Sequence, residues 1–183
     1  VVGPRLGAAV DEEIDGVASV SAASDGADDD GVSFGPLLAG AALGATITVD
    51  IQGSSSARLD GWIDWNADGD WDDAGEQVLV SEQLGSGQHT LTINVPNGAI
   101  AGTTYARFRV SSAGGLLPTG AAADGEVEDY EVNVIDPAAD FGDAPEPYFV
   151  LRSENGARHT AQGPTLGSTR AAEADGTHER LAE

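Results

Sequence analysis

From Asp64 onward, oxygen-bearing side chains recur at every second position: Asp64, Asn66, Asp68, Asp70 and Asp72, with Gly69 in the sixth place and Glu76 at the end. A loop wraps a hard cation by offering oxygens at such alternating places, and glycine in the sixth place permits the sharp turn that the wrapping needs. Oxygen-only donors in this number point to calcium. The helix–loop–helix form of the site requires Glu in the twelfth place, where this chain has Gly75. The flanks, residues 59–63 and 77–81, read as strands, so the spacing predicts a calcium loop between two strands with Glu76 as closing ligand. An acidic, solvated turn is the competing reading.

Two further carboxylate groups stand out. Asp25, Asp28, Asp29 and Asp30 crowd within six residues and repel one another unless a cation intervenes. Glu13 and Asp15 could complete a second calcium site there, against the alternative of a flexible acidic linker. Glu126 and Glu128 alternate with Tyr130, Val132 and Val134, which puts them on the core face of a strand, where carboxylates need partners. Arg107 and Arg109, alternating on another strand, are expected to pair with one of them, leaving calcium ligation to Glu128.

Composition narrows the function classes. Of 183 residues, 31 are acidic and 8 basic, for a formal net charge of −23. Such a chain repels phosphate backbones and anionic membranes, so neither nucleic acid nor direct membrane insertion is expected. The most apolar run, residues 36–49, is too short and too broken by Gly and Thr to span a bilayer. Residues 1–7 lack a charged start followed by an apolar stretch, so an export signal is expected outside the sequence. Cysteine is absent, which removes disulfides and thiolate metal sites. No Gly-x-Ser-x-Gly elbow occurs, and His89, His159 and His178 do not share metal-ligand spacing. No catalytic constellation emerges, and the chain is expected not to be an enzyme.

The elements that must position the loop are strands. Residues 45–51 alternate with Ile47, Val49 and Ile51 on one face, and residues 59–64, 77–81, 89–95, 105–111 and 127–135 follow, separated by turns rich in Gly, Asp, Asn or Pro. The pattern predicts an all-β fold: a two-sheet antiparallel β-sandwich, Ig-like with Greek-key connections, carrying irregular acidic calcium-binding linker segments. Its expected divisions are 1–31, an acidic inter-module segment; 32–136, the sandwich; and 137–183, a junction leading to a next repeat. The repeat shows at the two ends. Gly3-Pro4-Arg5-Leu6-Gly7 matches Gly163-Pro164-Thr165-Leu166-Gly167, and Glu13, Asp15 and Gly16 match Glu173, Asp175 and Gly176 at the same offset of about 160 residues.

Taken together, the run Trp62-Ile63-Asp64-Trp65-Asn66-Ala67-Asp68-Gly69-Asp70, the strand Tyr105-Ala106-Arg107-Phe108-Arg109-Val110 and Gly125-Glu126-Val127-Glu128-Asp129-Tyr130 resemble the GEVED domain, which takes its name from the last motif. Residues 140–160, from Asp140-Phe141-Gly142-Asp143-Ala144-Pro145 to Gly156-Ala157-Arg158-His159-Thr160, are similar to a segment that often accompanies it. The resemblance implies a β-sandwich in a secreted bacterial surface protein, where such domains recur in arrays with adhesin-like modules or beside peptidases, and it implies no settled activity. The expected function is a calcium-stabilised structural repeat of an extracellular fibre or long adhesin on the bacterial cell surface. Its partners would be neighbouring copies of the same module, head to tail, joined covalently or not. The alternative is a module of a secreted enzyme that binds a glycan or surface protein, with Trp62, Trp65 or Trp71 stacking on sugar rings.

Overall fold

The structure is a computed structural model that describes residues 3–8, 22, 29–137, 139–151, 156–160, 164–169 and 176. Its regular elements are all strands: β1 (Arg5–Leu6), β2 (Val32–Phe34), β3 (Leu37–Leu38), β4 (Ala45–Gln52), β5 (Ala57–Ile63), β6 (Gln77–Leu84), β7 (Gly87–Ile93), β8 (Gly102–Ser111), β9 (Glu126–Ile135), β10 (Ala139–Phe141) and β11 (Arg158–Thr160). Among the described residues no helix is long and apolar enough to cross a membrane. The chain divides into two compact units, Val1–Ile135 and Asp136–Glu183.

The first unit is the sandwich. One sheet runs β3-β9-β8-β5-β6, antiparallel except for the parallel pair β3–β9. The other is centred on β4, with β7 along one edge. Alternation drives both. In β4, Ile47, Val49 and Ile51 are wholly buried, and they join Leu59, Ile63, Phe108, Val110, Val132 and Val134 of the facing sheet in one core. Each such side chain contributes about 2 kcal/mol by leaving water, so apolar burial rather than any polar contact drives the sheets together. Phe108 packs against Phe34 and Tyr130 at centroid distances of 5.9 and 6.1 Å. Its ring lies where a Cβ on Gly61 would stand, 2.7 Å away, so this strand position accepts only glycine without rearrangement.

The other edge of β4 is filled in two pieces. Leu6 of β1 stands opposite Ile51, and Val32 of β2 opposite Val49. Between them the Gly7 N–H donates to the Asp50 carbonyl, while the Asp50 N–H donates to the Gly31 carbonyl. One edge strand is thus made of two pieces that meet at Asp50, one ending at Gly7 and the other starting at Gly31. The segment 1–31, expected to lie outside the sandwich, contributes β1 and the fully buried Leu6 to it.

In the second unit, β10 and β11 pair antiparallel, with Asp140 opposite His159. Val150 is buried there, and its carbonyl leaves no room for a side chain on Gly156 or Gly176.

Candidate functional site

The acidic loop connects β5 to β6, as its flanks predict. Asp64 and Glu76 form its base, both buried. The Ile63 N–H donates to the Glu76 carbonyl, and the Asp64 N–H to the Tyr105 carbonyl on β8. Thr104 Oγ1 donates to the Asp64 carbonyl at 2.6 Å. The Asp64 carboxylate accepts the N–H groups of Asp68 and Gly69, at 3.3 and 3.0 Å. Glu76 accepts the N–H groups of Trp65 and Asp73, at 3.1 and 3.2 Å. Burial, more than the neighbouring acids, pushes the Glu76 carboxyl above its ordinary range.

On this base the loop tip turns through left-handed backbone at Ala67 and Gly69, with φ of 55° and 95°. The turn brings Asp68, Asp70 and Asp73 together, all exposed, with one oxygen from each within 4.8 Å of the others. These three carboxylates could hold a metal ion. Asn66 lies beside them, its Nδ2 2.9 Å from Asp68 Oδ2 and 2.6 Å from Asp73 Oδ2. Of the residues singled out from spacing, Asp68 and Asp70 fall in the group and Asn66 borders it. Asp64 and Glu76 accept backbone N–H groups at the base of the loop, and exposed Asp72 stands outside the group of three. Asp73, which strict alternation passed over, takes the third place.

Of the second acidic group, Glu13, Asp15, Asp25 and Asp28 lie outside the described residues. Asp30 is described: its Oδ1 accepts the Ala8 N–H at 3.0 Å, beside the place where β1 and β2 meet along β4.

Glu128 is 2% exposed and faces the split edge strand. Its Oε1 accepts the N–H groups of Asp30 and Gly31, each at 3.2 Å, and its Oε2 accepts the Tyr130 hydroxyl at 2.6 Å. Tyr130 in turn accepts the Val32 N–H at 2.8 Å, and Glu126 accepts the Leu6 N–H at 2.6 Å. Three alternating side chains of β9 therefore receive backbone donors that β4 leaves unpaired. Burial raises the Glu128 carboxyl to about 8 and the Tyr130 hydroxyl well above its usual value.

The arginines take other partners than the glutamates assigned to them from sequence. Arg107 stands directly opposite Asp129 on β8 and β9 and pairs with it through two bonds, 2.7 and 2.6 Å. That pair lies on the outer face, one residue out of phase with Glu126 and Glu128. Arg109 donates to the carbonyls of Leu117, Thr119 and Gly120.

Residues 58–133, which span the loop and the clasp on β9, match the family model of the GEVED domain. This stretch is a GEVED domain. No curated protein and no solved structure matches the chain. Within the GEVED motif the positions now have separate physical roles. Gly125 has a left-handed φ of 100°, and a Cβ there would overlap the Val110 carbonyl. Glu126 and Glu128 secure the edge strand, and Asp129 fixes Arg107. Val127 is exposed, and nothing in the structure explains it.

One side chain of the GEVED domain had no marker in the sequence, and another takes a partner that the sequence did not suggest. Asp60, wholly buried, accepts the N–H groups of Ser81 and Leu116 at 2.8 and 3.2 Å. Trp71 lies under the Arg107 guanidinium, 4.5 Å from its ring centroid, while Trp62 and Trp65 are buried.

Proposed function

We propose that this chain is a calcium-stabilised structural module of an extracellular bacterial fibre or long surface adhesin, with no chemistry of its own. The observation that carries the reading is the approach of Asp68, Asp70 and Asp73 on a loop whose base is fixed by buried hydrogen bonds. Calcium takes six to eight oxygen ligands at about 2.3–2.6 Å in flexible geometry, and one oxygen from each of the three carboxylates is near enough to the others to share an ion. Rotating the Asn66 amide, whose orientation is set by its partners, would offer its oxygen to the same ion. A bound cation would relieve the repulsion among the three acids and rigidify the connection between β5 and β6. The glycan-binding alternative retains only Trp71 as a stacking surface, since Trp62 and Trp65 are in the interior.

Terbium tests the site directly, because Trp71 and Trp65 lie within the loop and can sensitise its emission. Sensitised emission is expected to appear at one equivalent and to be displaced by calcium. Asp70→Asn should weaken the calcium competition by roughly tenfold or more, as ligand charge sets affinity in such loops. Emission that is unchanged in the Asp70→Asn variant would mean that the ion is held merely by the acidic surface.

A further inference from the structure

Leu6 and Leu166 occupy equivalent places in the two matching stretches, yet their surroundings are opposite. Leu6 is 0% exposed in β1, and Leu166 is 102% exposed. The glycines that follow them share a left-handed backbone, with φ of 60° at Gly7 and 87° at Gly167. At Gly7 a Cβ would overlap the Asp30 side chain, whereas at Gly167 nothing among the described residues lies within 4 Å. Residues 164–167 thus keep the apolar side chain and the turn that the sandwich edge uses, without a sandwich around them.

We infer that residues 164–167 form the edge strand of another sandwich, adding to β4 of a second copy of this module just as Arg5–Leu6 adds to its own β4. The inference rests on the modular reading above and specifies its joint. In the second copy, Leu166 would enter the core position that Leu6 fills here, and its N–H would meet Glu126, which accepts the Leu6 N–H in this chain. Thr165 would replace Arg5, a residue that is only partly buried. Strand addition of this kind supplies backbone hydrogen bonds for affinity and a side-chain pocket for register. A module would then begin its successor before its own second unit ended, so neighbouring sandwiches could not be separated without removing a core leucine from one of them.

The test is a fused chain in which the full 183 residues are followed directly by a second copy of residues 24–135. Residues 161–183 then stand where the second sandwich requires residues 1–23, and the first sandwich is untouched. Guanidinium unfolding followed by Trp fluorescence should show twice the amplitude of the single chain. Leu166→Asp in the fusion should abolish the second sandwich's share of that amplitude, as Leu6→Asp abolishes the first's. The same Leu166→Asp in the single 183-residue chain should leave its midpoint unchanged. A second sandwich that never folds in the fusion, or that folds equally well with Leu166→Asp, overturns the inference. Runs with calcium and with chelator keep this outcome separate from any failure of the calcium reading.

Discussion

Replacing Glu128 by Ala is expected to cost about 3 kcal/mol, because a buried N–H, a part-buried N–H and a phenol lose their acceptor together. The donors concerned are those of Asp30 and Gly31 and the Tyr130 hydroxyl. All lie at the point where the two pieces of the edge strand meet, so β2 should loosen from β4. Replacement by Gln keeps one acceptor oxygen and removes the titration. The folded Glu128 carboxyl lies at about 8, against an ordinary value of 4.5. Its raised folded value favours the protonated, folded state: the associated stability is fully present below about pH 4.5 and is lost as pH rises through 8. The wild type should therefore weaken relative to Glu128→Gln across that window, by at most ~5 kcal/mol. Urea midpoints for both proteins at pH 5, 7 and 9 measure the difference. A constant difference across the three would contradict the assignment.

The second large effect is at Glu76. Glu76→Ala leaves the N–H groups of Trp65 and Asp73 without their acceptor, a loss of about 2–3 kcal/mol for buried donors. The loss should be present in chelator as well as in calcium, because Glu76 holds the base of the loop. It should also weaken terbium binding, since the Asp73 backbone is one of the two groups that Glu76 fixes. If Glu76 acted as a calcium ligand alone, its removal would destabilise only the calcium-loaded protein and would leave the chelated protein unchanged. Midpoints in guanidinium, with and without chelator, separate the two roles.

The long strands were legible because their periodicity is strong. Alternation of Ile47, Val49 and Ile51, and of Ala106, Phe108 and Val110, marks the strands whose inward residues form the core. β1, β2 and β3 have two or three residues each, too few for a period to show, and the split edge strand joins positions that stand far apart in sequence. The loop was legible as a cation candidate from its spacing, but spacing alone does not fix how the backbone turns. With left-handed backbone at Ala67 and Gly69, Asp73 rather than Asp72 approaches Asp68 and Asp70, and Glu76 is buried at the base of the loop. The Arg–Glu pairing failed for a related reason. Glu126 and Glu128 were placed correctly on the inner face, but Arg107 and Arg109 point outward, and the residue opposite Arg107 is Asp129. The inward glutamates serve backbone donors, which have no letter in the sequence.

Thermal unfolding of the wild type and of Asp70→Asn, each with calcium and with chelator, tests the calcium-stabilised module most directly. A ligand that binds only the folded state at about a hundred times its dissociation constant adds about 2.7 kcal/mol, which for a chain of this size is a rise of roughly 5–10 °C. That rise is expected for the wild type, with most of it absent in Asp70→Asn. Equal melting temperatures for the wild type in calcium and in chelator would contradict it.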